Sequence, residues 1–222
     1  MSDLPLSCPE LPSLPTLEGP LEEARLESLL VLPFHPLRVE RVFHPAQVRL
    51  GWGKGHLVVL ASLEDRDMYS TSTGPNQSFW LMGDVFEIFL QVDGHPDYLE
   101  LHVTPNGHPL QLRFPSEAAM RVDRVAGKSP LEKNTLEGKI FDFRVLHRAS
   151  GWDVRALIPF EAIRPGYDPE KEPTLRVSFS RYDCSRDTQA IDLSSTTPHG
   201  NPDFHRLFEW KRVTLTPRTS GE

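Results

Sequence analysis

Residues Phe79–Val103 read FWLMGDVFEIFLQVDGHPDYLELHV, and this stretch decides the fold. Phe86, Ile88, Leu90 and Val92 alternate along one face. Leu99, Leu101 and Val103 resume the alternation after a turn. A period of two is the pattern of a half-buried antiparallel sheet. Glu87, Gln91, Glu100 and His102 fall on the opposite face, where polar groups among apolar neighbours either meet solvent or hold a ligand. A loop of Gly94–Asp97 pairs Gln91 with Glu100 and Phe89 with His102. A slip by one residue would drive Tyr98 into the core beside Val92 and bury the carboxylates there, so the even register is expected. Asp93, Gly94 and Pro96 supply turn chemistry.

Strand signals continue on both sides of this hairpin. With Val85–Val92 and Tyr98–Val103 as the strands of the hairpin, Val48–Trp52, Leu57–Leu63, Gln111–Phe114, Ile140–Leu146, Trp152–Ile158, Leu175–Tyr182 and Arg212–Thr216 are further strand candidates. Turn residues separate them, among them Gly51–Gly55, Asn106–Gly107 and Ser150–Gly151. No strand–helix alternation of the kind that builds a parallel sheet appears. The expected fold is therefore all-β, an antiparallel β-sandwich of the jelly-roll or immunoglobulin-like kind with a few short helical turns. Residues 1–20 form an extended Pro-rich arm, residues 21–216 a single sandwich domain and residues 217–222 a tail. Leu21–Leu32 has helical composition, although Leu29–Leu32 could equally begin a strand. Pro159–Ile163 is expected to make one helical turn. Glu64–Phe79, Ser116–Lys139 and Asp183–Glu209 are long and irregular. Loops of such length in compact domains are functional or disordered, and gathered over one sheet they would make a binding site.

Composition narrows the function. The chain has 222 residues and a net charge of −7, with no basic patch interleaved with aromatics, which argues against nucleic acid as partner. No apolar run is long enough to cross a membrane. Cys8 and Cys184 are too few for a disulfide framework. The start, MSDLPLSCPELPSLP, has neither the basic beginning nor the apolar centre of a secretory signal, so a cytoplasmic location is expected.

The order of the motifs is informative as a set. GDVFEIFL (Gly83–Leu90) precedes YLELHVTPNG (Tyr98–Gly107), then GWDVRALIPFEAI (Gly151–Ile163), LRVSFSRYD (Leu175–Asp183) and SSTTPHGNPDFHRLFEWKRVTL (Ser194–Leu215). Together they resemble the family 9 carbohydrate-binding module, within the wider DOMON-like group of β-sandwiches. LEGPLEEARLESLLVL looks like a degraded form of that family's start. The resemblance runs from about Leu17 to Leu215. It implies a sandwich that binds a carbohydrate or similar small polar ligand without turning it over. Members of the family are usually exported, which stands against the cytoplasmic expectation.

Sugar binding needs aromatic faces for the C–H side of the ring and directional polar groups for the hydroxyls. The family grips sugar between aromatic rings, which points here to Trp80 and Tyr69, beside Asn76 and Gln77. Trp52 and Trp152 run in phase with core residues, and Trp210 precedes the last strand as a structural residue. Glu87 and Glu100 would accept sugar hydroxyls or else pair with Arg144, Arg176 or Arg181. Two carboxylates can also form a glycosidase pair, but no other feature supports hydrolysis and no enzyme is expected. Arg181 ends an apolar row and must meet a carboxylate or a ligand. His199 and His205 with Asp203, near His102 or Glu100, have the residue types of a metal site. Some family members carry structural calcium, so the resemblance leaves a Ca²⁺ or other divalent site of Asp and backbone oxygens open, although no acidic loop here matches a dedicated cage and no cofactor is expected. Two alternatives stand beside this: a structural or interaction sandwich with no small ligand, and, because the resemblance extends to DOMON relatives that hold haem, a haem site with Met68 or Met82 and His102, His199 or His205 as axial ligands. No CxxCH motif exists for covalent attachment, and no haem is expected. The polar ligand set is Asn76, Glu87, Glu100, Arg181 and His205.

Overall fold

The computed structural model describes residues 4–22, 26–38 and 43–218. Two sheets face one another. The first has five strands in the order β2-β4-β5-β10-β9: β2 (Leu30–Pro33), β4 (Ala46–Gly53), β5 (His56–Glu64), β10 (Gly151–Pro159) and β9 (Asp142–Arg148). The second has eight strands. Its main path is β1-β13-β11-β6-β7-β8: β1 (Leu6–Pro9), β13 (Lys211–Thr216), β11 (Thr174–Cys184), β6 (Val85–Val92), β7 (Tyr98–Val103) and β8 (Pro109–Phe114). β12 (Ile191–Ser195) pairs with β11 and with the short β3 (His35–Pro36). Among the described strands every pairing is antiparallel except that of β1, which lies parallel to β13, so the Pro-rich arm adds an edge strand.

The alternation in the Phe79–Val103 stretch builds the space between the sheets. Phe86, Ile88, Leu90 and Val92 of β6 and Leu99, Leu101 and Val103 of β7 point inward, with Leu175, Val177 and Phe179 of β11. They meet Val48, Leu50, Leu57, Val59, Leu63, Trp152, Val154 and Ile158 of the five-stranded sheet. Phe86 and Phe179 stack across neighbouring strands with centroids 6.2 Å apart and an interplanar angle of 6°. Fully burying one such side chain is worth roughly 1.5–3 kcal/mol. Trp152 is fully buried. Trp52 packs at the border of this core, and its indole Nε1 donates to the carbonyl of Cys8. Both cysteines are free and buried.

The hairpin register differs from the expected one. Phe89 lies opposite Glu100 and Glu87 opposite His102, two residues displaced from the Gln91–Glu100 pairing. A shift of two preserves the faces, so the inside–outside assignment is unaffected. The cause is a longer connection. Ladder pairing stops at Leu90–Leu99, and the Gln91 amide folds back to donate to the carbonyl of His95 at 2.7 Å.

Other boundaries also moved. Of Leu21–Leu32, residues 23–25 lie outside the described residues, and Leu30–Pro33 is strand because its backbone pairs with β4. Ser116–Lys139 is largely helical rather than irregular. It holds α1 (Glu117–Val125) and α2 (Leu131–Asn134). The Ser116 hydroxyl caps α1 by accepting from the amide of Ala119, and Glu117 and Arg124 sit at the ends that suit their charges. A final helical turn, α3, spans Phe160–Ile163. Asp183–Glu209 contains β12 and a 3₁₀ turn at Leu207–Glu209. Among the described residues no helix is long and apolar enough to cross a membrane.

Candidate functional site

The outer face of the eight-stranded sheet is not open to solvent. Phe89, Tyr98, Leu110, Leu112 and Phe114 emerge there and make a second apolar cluster. Phe79 covers it from the 3₁₀ turn Phe79–Leu81, Met120 from α1, and Phe204, Leu207 and Trp210 from the last long loop. Trp210 is buried, and its Nε1 donates to the carbonyl of Phe204. The cover is incomplete. Between α1, the Phe79–Leu81 turn and the last loop a cavity of about 450 Å³ reaches down to the sheet.

Its floor carries Glu87, Glu100 and Tyr182. Trp80, Phe114, Phe204 and His205 form walls, while Asp123, Arg124, Lys128 and Asn134 stand nearer α1 and α2. A neighbouring cavity of about 430 Å³ shares Phe114, Met120, Asp123 and Asn134 with it. Aromatic faces beside charged and amide groups suit a ligand with both C–H surfaces and hydroxyls.

The floor is a coupled set of titratable groups. His102 lies directly behind the cavity. Its Nε2 donates to Oε1 of Glu100 at 2.7 Å and lies 3.4 Å from Oε1 of Glu87, and all three side chains are buried. Burial pushes the Glu87 carboxyl up to about 7, opposed by the His102 charge and reinforced by Glu100. Burial would depress His102, but the two glutamates outweigh it and raise its pKa. Burial likewise works to raise Glu100, but the charge that His205 carries when protonated, with the hydrogen bond and charge of His102, holds it below the ordinary range. Oε2 of Glu100 is buried without a hydrogen-bond partner, 3.7 Å from Nδ1 of His205. That Nδ1 is 2.9 Å from the Tyr98 hydroxyl. Burial raises the Tyr98 pKa and lowers that of His205, so the hydroxyl donates and the imidazole is neutral. The Trp80 ring meets His102 edge-on with centroids 5.9 Å apart.

Of the residues singled out from the sequence, Trp80, Glu87, Glu100 and His205 converge on this cavity, as does Asp203. Asp203 pairs with Arg121 and Arg124. Four others lie elsewhere. Tyr69 sits under the Arg186 guanidinium at 4.9 Å, and its backbone amide donates to Asp84. Asn76 adopts a positive φ of 55° in the loop beside β8, its amide donating to the carbonyl of Pro109. Arg181 points between the sheets, where it contacts Asp65 at 3.0 Å and Asp183 at 3.3 Å and donates to the carbonyl of Glu64. His199 is 2.9 Å from Glu209 through Nδ1, away from His102 and His205. The arginines considered as partners for the two glutamates go elsewhere, Arg144 to Glu18 and Arg176 to Asp93. Met68 packs against the inter-sheet core and Met82 against the outer cluster.

Among the described residues, three carboxylates, Asp65, Asp84 and Asp183, bring oxygens within 4.8 Å of one another. Arg181 balances Asp65 and Asp183, while Asp84 accepts the backbone amides of Tyr69 and Cys184. His44 Nδ1 also lies 2.8 Å from Asp183 Oδ2, and burial, with the neighbouring Asp65 charge, pushes the Asp84 carboxyl up to about 7.

Tyr182, Phe114, Phe204, Arg124, Lys128 and Asn134 were not singled out as site residues. Tyr182 had a usable signal, since it follows Arg181 and so falls on the Glu87 face of β11. Phe114 had one too, alternating with Leu110 and Leu112 on β8, whereas Phe204, Arg124, Lys128 and Asn134 are set by the packing of α1, α2 and the last loop, which period-two reading cannot place.

No protein-family model matches the sequence, and no curated protein is significantly similar to it. The fold itself has relatives of known structure. A family 9 carbohydrate-binding module from Caldicellulosiruptor kristjanssonii, solved with cellotriose, superposes with a TM-score of 0.64 at 16% identity, covering 97% of this chain and 95% of that one. A family 9 module from the same organism with glucose gives 0.60 at 16% identity, covering 98% and 97%. A proposed carbohydrate-binding protein from Bacteroides uniformis gives 0.68 at 14% identity, covering 96% and 98%. At such identities the likeness is one of fold.

Proposed function

We propose that the chain is a non-catalytic carbohydrate-binding domain whose ligand enters the cavity over Glu87 and Glu100. The observation that carries this reading is the cavity itself, with Trp80, Tyr182, Phe114 and Phe204 around two buried carboxylates. It occurs in a fold shared with modules that hold cellotriose and glucose. Aromatic faces take the apolar side of a pyranose, and Glu100 Oε2 offers a free acceptor to a hydroxyl. The adjoining cavity beyond Phe114 and Met120 gives room for a second sugar unit.

The absence of turnover is supported by the arrangement of the acids. A glycosidase sets two carboxyl groups on either side of the scissile bond. Glu87 and Glu100 instead lean on one imidazole nitrogen from adjacent strands of the same sheet. The test is a glycan array followed by calorimetry on the purified protein, with a reducing-sugar assay on the same glycans. Saturable binding without product release is expected. Failure to bind any glycan refutes the reading, and release of sugar refutes its non-catalytic part.

A further inference from the structure

The floor of the cavity offers more acceptors than donors. Glu87 and Glu100 both converge on His102 Nε2, a single N–H shared at 3.4 and 2.7 Å. The arginines of this sheet do not reach them. Arg176 is held by Asp93, Arg181 by Asp65, and Arg113 by the carbonyls of Ala162 and Ile163. Nearer the mouth Arg124 shares Asp203 with Arg121, and Lys128 shares Asp123 with Lys133, so the Arg124 charge acts on Glu100 only from the rim, without a hydrogen bond to it. His205, the remaining base in the wall, accepts from Tyr98 and is neutral. With both glutamates ionised, one imidazolium therefore stands against two carboxylates, and Glu100 Oε2 is buried with no hydrogen bond. A buried carboxylate oxygen without a hydrogen bond is costly, and a ligand that brings a charged donor to Glu100 Oε2 removes that cost. The aromatic faces of Trp80, Tyr182, Phe114 and Phe204 surround the same space and also favour a cation.

We infer that the cavity is built for a positively charged carbohydrate, an amino sugar whose ammonium lies against Glu87 and Glu100. This rests on the carbohydrate reading above and narrows its ligand class.

The test compares glucosamine, N-acetylglucosamine and glucose by calorimetry at neutral pH, where the amine of the first is largely protonated. The unmodified protein should bind glucosamine at least about tenfold more tightly than either uncharged sugar. The preference should fall away in Glu100→Gln and Glu87→Gln, with each variant's fold checked by its thermal melt. Equal affinities for the three sugars overturn the charge assignment and leave the carbohydrate reading standing. Binding of none overturns the charge assignment, and the glycan array then decides the carbohydrate reading on its own. A preference that survives both glutamine variants also overturns the assignment, because the charge would then be read elsewhere. The comparison among sugars needs no variant, so misfolding of either one does not blunt it.

Discussion

His102 and Glu100 lie two residues apart on β7 and join through a 2.7 Å hydrogen bond, both side chains buried beneath the cavity. Alternation places i and i+2 on one face, so the pair is prearranged by the strand itself. Glu87, opposite His102 on β6, completes the cluster.

The cluster sets a pH dependence. Glu87 rises from 4.5 to about 7 in the folded state, and His102 is also raised. Both hold protons more tightly folded than unfolded, so their contribution is full at low pH and declines as pH rises through the folded pKa. For Glu87 the window is about 4.5 to 7. The lowered pKa of Glu100 acts below that window, with the opposite sign. Glu87→Gln removes one proton from the linkage. It should flatten the decline across the window and leave the variant more stable than the parent above neutrality, by an amount on the order of 2 kcal/mol. Urea unfolding at several pH values reads this directly, and parallel curves for parent and variant would sink it.

Trp80 stands half-buried in the cavity wall at the edge of the outer cluster, so its removal spares both cores. Trp80→Ala should weaken sugar binding by about 1–3 kcal/mol while leaving the melting temperature nearly unchanged. Unaltered affinity in calorimetry would take Trp80 out of the site.

Arg181 holds apart carboxylates that would otherwise crowd one another. Without its guanidinium, Asp65, Asp84 and Asp183 keep oxygens within 4.8 Å, all buried. Arg181→Met should cost about 3–5 kcal/mol, because removing one partner of a buried pair leaves its charge uncompensated. Adding Asp65→Asn should recover part of the loss. A single-variant loss below about 1 kcal/mol in denaturant melts would mean that the carboxylates are already neutral.

What the sequence made legible follows from range. Phe86–Val92 and Leu99–Val103 declare their faces within a few residues, and both strands occur at the expected bounds. Glu87, Glu100 and His102 shared a face for the same local reason. The pairing partner was misread by two residues because it depends on how the chain between Val92 and Tyr98 folds, and the Gln91 amide enters that turn. Tyr69 and Asn76 neighbour Trp80 in sequence but leave its vicinity once the loop folds back over Asp84 and Pro109. Cover of the outer face by Met120 and Phe204 is a contact between distant segments, and no periodicity encodes it. β1, β2, β3 and β12 are short edge or linking strands whose pairing comes from neighbours rather than from their own pattern.

Gly151 offers a test of the scaffold that positions the cavity from the far sheet. It opens β10 with φ at 149°, where a side chain is strained, and a Cβ there would lie 2.0 Å from the carbonyl oxygen of Leu63. That oxygen is backbone on the paired strand β5, in register with Gly151 opposite Glu64, so it cannot swing aside as a flexible side chain would. The amide of Asp65 donates to the carbonyl of Ser150 immediately beside this point. Displacing the strands would therefore also disturb Asp65, the partner of Arg181. Gly151→Ala should destabilise by at least about 2 kcal/mol, combining backbone strain with a local rupture of the ladder. Gly94→Ala provides the control. Gly94 also has a positive φ, of 89°, but nothing lies within 4 Å of its Cβ position, so only the conformational penalty remains, about 1 kcal/mol. Equal losses for the two variants in thermal or urea unfolding would show that the close approach of β5 is not what requires glycine at position 151.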